Sequence, residues 1–231
     1  VELQKNPLRD TIFGVITTVI MLGILSIFAV IFVIPFVQEW PYQVSFSLEH
    51  VKSVISDPDL LGVYTNSLFV AVMTAIIGVL ISYGAALVTA RSTLNAKLKS
   101  VVEAIALVIN TIPGMVLGIA FMLTFTGTNL QSTFIILIIC DVVHYFSTPY
   151  LMVKNSLSKM NASWETTAML MGDSWIKTII RVVTPNAMST IIEVFSYYFV
   201  NAMVTISAII FLAGAHTMVI TTKIKELQYY N

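Results

Sequence analysis

The chain holds 231 residues, of which 57% are hydrophobic and only 10% charged, a balance that excludes an ordinary soluble domain and places the chain in a bilayer. Twelve basic residues face twelve acidic ones, which excludes a surface built to hold nucleic acid. A single cysteine, Cys140, excludes an intrachain disulfide framework and a cysteine-rich metal site; inside an apolar run it reads as a small buried hydrophobe.

The polar start VELQKNPLRD lacks an initiator methionine, so the chain is expected to be a processed, trimmed or internal piece of something longer. The first apolar run, 11–37, outlasts a signal-peptide core and ends in QEWPY without a small-residue cleavage pattern, so it is expected to stay in the membrane. Further runs follow at 62–90, 98–126, 130–153 and 187–212. Each is long enough to cross about 30 Å of hydrocarbon as helix, and none alternates with period two. Lipid admits only helices or closed barrels. The expected fold is therefore all-α, a polytopic membrane helical bundle with spans over those five runs.

Between the runs lie the loop QEWPYQVSFSLEHVKSVISDPDLL, the basic link RSTLNAKLK, a tight GTN turn, a charged segment over 154–186 and the polar tail TTKIKELQYYN. Trp40, Pro41 and Tyr42 fit an interfacial anchor. Glu49, His50, Asp57 and Asp59 read first as a solvated loop and second as a surface that meets a delivering protein. Placing the N-terminus in the cytoplasm assigns Lys5, Arg9, Arg91, Lys97, Lys99, Lys154, Lys159, Lys177 and Arg181 to the inner side. Only Lys52, Lys223 and Lys225 remain outside. The charged segment is then cytoplasmic and the tail external.

Within that segment, SWETTAMLMGDSWIKTIIRVVTPN carries two helix signals. Asn161 or Ser163 can cap a first helix whose opening turn holds Glu165, and Gly172 ends it. Asp173 or Ser174 can cap a second helix, with Lys177 and Arg181 four apart, and Thr184-Pro185 is expected to break it before the next span. The result is two short amphipathic helices hinged at a glycine. They either lie at the bilayer interface with Trp175 as anchor or leave the membrane to meet a soluble partner.

The spacing resembles the EAA loop of type I ABC importer permeases, E-E-A-A-x-x-L-G followed by a Leu-Pro ending. Here it stands as Glu165-Thr166-Thr167-Ala168-Met169-Leu170-Met171-Gly172 and Thr184-Pro185, with threonines at the second acidic position, at the first alanine and before the proline. TNSLFVAVMTAIIGVLISYGAALVTAR is similar to the family's second-span opening, IPGMVLGIAF to its Pro-Gly span, and HYFSTPYLMVKNSLSKMNASWETTA to its approach to the loop. The resemblance implies a type I ABC importer transmembrane domain in a bacterial inner membrane. It implies that Glu165, Thr167, Ala168, Gly172, Asp173, Lys177 and Pro185 couple the chain to a separate ATP-binding subunit, which holds ATP and Mg; no cofactor is expected on this chain. It further implies a second permease half or copy, an extracytoplasmic substrate-binding protein, and a sixth span beyond residue 231. The start resembles the linker before the second half of tandem permeases for ferric iron and 2-aminoethylphosphonate, which orders the substrates: ferric iron first, then 2-aminoethylphosphonate, with polyamines and thiamine behind.

Polar groups inside lipid are costly and mark candidate sites. Asn110 and Thr111 precede Pro113-Gly114, where freed carbonyls line a path or the helix merely kinks. Asp141 and His144 share a helix face and, with Tyr145, form either a cation or proton site or a satisfied His-Asp pair. Glu193, Tyr197, Asn201 and Thr205 recur every four residues, a polar stripe that serves either translocation or interhelical hydrogen bonding. No metal site is expected, and the scattered methionines read as packing. The chain carries no G-x-x-x-x-G-K-[ST] loop, no H-E-x-x-H and no G-x-S-x-G, which disfavours an intramembrane enzyme.

Overall fold

The computed structural model describes residues 6–230; Val1 to Lys5, including the Lys5 counted above, and Asn231 lie outside the described residues. The chain divides into two compact units, 1–61 and 62–231.

In the first unit, helix α1 (Pro7–Val33) starts where Asn6 accepts from the Arg9 amide at 3.3 Å and Pro7 needs no hydrogen-bond partner. None of its residues is buried, although nearly all are apolar, as suits a helix whose solvent is lipid. The loop after it is more ordered than its composition suggested. Strands β1 (Val37–Glu39) and β2 (Gln43–Phe46) pair antiparallel around a cis Trp40–Pro41 peptide, and Phe36 stacks on Phe46. Helix α2 (Glu49–Ser56) follows, and the Asp57 carboxylate accepts from the amides of Asp59 and Leu60 to open the next helix, α3 (Pro58–Arg91).

Among the described residues, only α1 with its 3₁₀ extension and α3 are single helices long and apolar enough to cross a bilayer; the runs at 98–126 and 130–153 are each broken in two. The run expected as a span over 98–126 is α4 (Ala96–Ile109) and α5 (Gly114–Phe125), bent by 106°. At 1.5 Å per residue these are about 21 and 18 Å long, so neither alone matches about 30 Å of hydrocarbon. Pro113 causes the break: it offers no N–H, and the chain tightens ahead of it through Thr111 and Ile112 amides onto the carbonyls of Val108 and Ile109. The 130–153 run likewise splits into α6 (Phe134–His144) and α7 (Ser147–Lys159), bent by 54°. Pro149 lies in the first turn of α7, where a missing N–H costs nothing.

The charged segment forms α8 (Ser163–Leu170), α9 (Trp175–Thr178), a π-helical turn (Ile179–Val183) and α10 (Thr184–Asn186). The break expected at Thr184-Pro185 does not occur there. The wider π turn carries the helical path through Pro185, the Asn186 side chain donates through Nδ2 to the Val182 carbonyl at 2.7 Å, and the chain bends by 74° at Ala187 into α11 (Met188–Val204). The expected span to residue 212 is also corrected: α11 stops at Val204, and residues 205–219 are turns. The polar tail is helical instead, as α12 (Ile220–Tyr230). It is fastened to α3 by Asn66, which donates to the Met218 carbonyl at 3.1 Å, and by Ser67, which accepts from the Ile220 amide at 2.7 Å.

Within this second unit the core gathers around α3. Gly78 leaves room for the Tyr198 ring, where a Cβ would stand 2.6 Å from ring carbons, and the Tyr198 hydroxyl pairs with Ser82 at 2.8 Å. Tyr150 donates to Thr89 at 3.0 Å, so α7 and α11 are both keyed to α3 by buried hydroxyls as well as by packing. A second cluster joins Val70 to Leu137, Ile138, Ala208 and Ile209.

Candidate functional site

Two polar constellations stand out, one at the C-terminal end of α3 and one around the helix breaks. At the first, the Asn161 side chain accepts from the Ser163 amide at 2.9 Å, which fixes the entry to α8. The exit is a Schellman motif. Gly172 takes φ +82°, its amide donates to the Met169 carbonyl at 3.0 Å, and the Asp173 amide donates to the Ala168 carbonyl at 2.9 Å. The seven-residue spacing from Glu165 to Gly172 therefore corresponds to a two-turn helix and its glycine stop. Ser174 then caps α9 by accepting from the Lys177 amide, and Lys177 pairs with Asp173 on the exposed side.

The tip between the two helices is apolar and uncovered: Met169, Leu170 and Met171 are exposed, Leu170 at 85%, with Ile176 and Ile180 beside them. Thr178, Ile179 and Val183 are buried and hold the base of the loop in the core. Thr184, which replaces the leucine of the family pattern, hydrogen-bonds with the Tyr83 hydroxyl at 2.7 Å.

Glu165 does not face outward with the tip. Its two carboxylate oxygens receive Nε and Nη2 of Arg91 at 2.6 and 2.7 Å, and the two side chains are only 15% and 5% exposed. The same guanidinium donates to the carbonyls of Met160 at 2.9 Å and Asn161 at 3.1 Å. Sequence reasoning missed Arg91 as a site residue and counted it only as an inner-side charge. Its one signal was position, as the last residue of the motif-like stretch Thr65 to Arg91.

The second constellation is a cavity of about 200 Å³ lined by Asn110, His144, Tyr145, Ser147, Thr148 and Tyr197, with Ile109 and Ile112. The helix breaks build it. The turn after α4 presents Asn110, the α6/α7 bend presents His144 to Thr148, and α11 presents Tyr197. Gly114 permits the closeness, since a Cβ there would stand 2.6 Å from the Ser207 hydroxyl and 3.0 Å from the His144 ring.

The expected polar stripe divides along its length. Tyr197 lines the cavity and Glu193 is exposed. Asn201 donates to the Tyr197 carbonyl at 2.7 Å, and Thr205 to the Asn201 carbonyl at 2.6 Å, so both turn back onto their own backbone. Thr205 also bonds with the Tyr145 hydroxyl at 2.8 Å. The expected Asp141–His144 pair is not formed. Asp141 is wholly buried and neither of its oxygens has a hydrogen-bond partner among the described residues; Nδ1 of His144 is also unpartnered.

Residues 78–230 match the family described as binding-protein-dependent transport system inner membrane component. The chain is 28% identical over 229 residues to a putative ferric transport system permease protein of Haemophilus influenzae, covering 95% of this chain and 35% of the relative. It is 26% identical over 222 residues to a ferric transport system permease protein of Actinobacillus pleuropneumoniae, covering 90% and 31%. A molybdate/tungstate transport system permease protein of Pyrococcus furiosus is 25% identical over 189 residues, covering 81% and 73%. The chain thus spans about a third of the length of the two ferric relatives. In fold, it matches a chain of the crystal structure of a bacterial ABC transporter involved in the import of the acidic polysaccharide alginate, with a TM-score of 0.74 at 16% identity over 99% of this chain and 82% of that one. With two thirds of its residues inside the family match and its apolar runs folded as helices, the chain is an integral membrane protein of the binding-protein-dependent transport system inner membrane component family.

Proposed function

We propose that this chain is a permease subunit of an ATP-driven ABC importer. The observation that carries the reading is the glycine-hinged loop: an uncovered apolar tip, Met169 to Met171, between α8 and the helix α9, whose C-terminal continuation is buried at Thr178, Ile179 and Val183. Such a tip has the shape of a helix-in-groove anchor, and the groove belongs to a separate ATP-binding subunit that holds ATP and Mg. Gly172 and Ala168 shape the turn. Thr167, Asp173 and Lys177 are polar neighbours of the tip, and Pro185 lies where the loop rejoins the membrane helices.

The cavity lined by Asn110, His144 and Tyr197 is the candidate substrate path. It opens among broken helices, the usual place for irregular backbone at membrane depth. The loop sits at the Arg91 end of α3 and the tail is tied to Asn66 and Ser67, about 36 Å away at 1.5 Å per residue. That separation supports placing the loop and the tail on opposite sides of the membrane, and the lysine and arginine distribution favours a cytoplasmic loop and a cytoplasmic N-terminus in a bacterial inner membrane. A second permease half or copy completes the pore, and an extracytoplasmic binding protein delivers the substrate. Ferric iron is the substrate favoured by the two ferric relatives.

A crosslinking scan tests the coupling role. With Cys140→Ala as background, single cysteines at Leu170 and Met171 are expected to crosslink to the co-expressed ATP-binding subunit in a nucleotide-sensitive way. Correct insertion without any such crosslink overturns the reading. Uptake of radioactive iron against molybdate in proteoliposomes with the cognate binding protein then tests the substrate.

A further inference from the structure

Resting on the permease reading, we infer that Arg91 is a positioning residue that straps the loop to α3, and that Glu165 serves this strap instead of touching the ATP-binding subunit. The guanidinium spends its donors on three elements at once. Nε and Nη2 grip both oxygens of Glu165 in α8, at 2.6 and 2.7 Å. Nη1 meets the Met160 carbonyl at 2.9 Å and the Leu157 carbonyl at 3.4 Å, while Nη2 also meets Asn161 at 3.1 Å. Those carbonyls belong to the C-terminal end of α7 and the turn after it, where a helix leaves acceptors without intrahelical donors. A bidentate, charge-assisted pair with added carbonyl contacts is the arrangement arginine forms and lysine cannot.

With both oxygens on Arg91 and the side chain largely buried, the Glu165 carboxylate is turned inward, whereas the apolar tip five residues on is bare. The loop is fastened to α3 a second time by Thr184 on Tyr83. Arg91 and Tyr83 are eight residues apart, about 12 Å along the same helix. Two attachments on one rigid helix mean that a push on the tip is delivered to α3 and, through the Gly78 and Ser82 contacts with Tyr198, to the cavity-lining helix α11.

The test uses the assembled transporter in proteoliposomes, reading uptake per ATP hydrolysed and the affinity of the ATP-binding subunit. Arg91→Lys and Glu165→Gln should each lower uptake per ATP at least tenfold while changing that affinity less than threefold, and the double variant should be no worse than the worse single one. Leu170→Asp should instead weaken subunit binding at least tenfold. A normal uptake-to-hydrolysis ratio in both strap variants overturns the inference; so does Glu165→Gln weakening subunit binding as much as Leu170→Asp, or losses that multiply in the double variant. Failure of the unmodified chain to bind any ATP-binding subunit sinks the permease reading itself. Hydrogen exchange of the α8 amides in the chain alone addresses the strap separately: Glu165→Gln, which leaves α3 unaltered, should speed it at least tenfold, and unchanged exchange counts against the strap.

Discussion

Arg91 with Glu165 and the lone Asp141 are two ways of removing an ionisable group from water, and they differ in the partners that decide the cost. The Arg91–Glu165 pair is bidentate and surrounded by carbonyl acceptors, so its hydrogen-bonding capacity is nearly filled. Asp141 is buried more deeply and has no donor at either oxygen among the described residues. A paired buried charge is expensive to break, because the survivor stays buried and alone; an unpartnered one is cheap to remove, because its cost is already carried by the folded state. Burial alone therefore says little about a polar residue's contribution, and its partners decide.

The sharpest way to break this comparison is Arg91→Ala. It leaves Glu165 and three carbonyls without their donor, so a loss on the order of 3–5 kcal/mol is expected. Thermal unfolding in lipid nanodiscs measures it, and a loss below about 1 kcal/mol would make the pair an ordinary surface salt bridge. Gly172→Leu comes next. No neighbouring atom crowds the site, so only the positive φ resists a side chain, at roughly 1–2 kcal/mol. The strain is confined to the hinge, so uptake is expected to fall more than global stability does; equal uptake in the variant would show that the turn geometry is dispensable.

The two constellations were unequally legible in the sequence. The Glu165-to-Gly172 spacing could be read because a capped helix and its Schellman stop are local, settled within ten residues. Arg91 could not, since its partner lies 74 residues on and no periodicity joins them. Pro113 announced its bend, while Pro149 was lost inside an apolar run because hydropathy does not record helix direction. The fourfold spacing of Glu193, Tyr197, Asn201 and Thr205 suggested one helix face. It could not reveal that Asn201 and Thr205 bond to their own helix, or that the helix stops at Val204. The tail read as polar because Lys223, Lys225 and Glu226 fall among its eleven residues, yet its Thr221 and Thr222 are buried.

A smaller effect is expected at the second fastening of the loop. Tyr83→Phe removes one hydroxyl from a part-buried pair and leaves Thr184 free to bond within its own turn, so about 1 kcal/mol is expected. A loss approaching that of Arg91→Ala would mean that the two fastenings carry equal weight.

The smallest expected effect falls on the most deeply buried ionisable side chain. Asp141→Asn keeps the volume, and Asp141→Leu replaces an unpartnered carboxyl by a side chain suited to the surrounding Leu137, Ile138 and Val142. Because no hydrogen bond is lost, both variants should unfold within about 1 kcal/mol of the parent, with Asp141→Leu at the stable end. A polar group with no folding role, three residues before the cavity-lining His144 in a membrane helix, points to the working cycle, so uptake should change in these variants while stability does not. If instead Asp141→Leu loses stability on the scale of Arg91→Ala, the carboxyl has a donor in the assembled transporter, and the contrast between the two charges disappears.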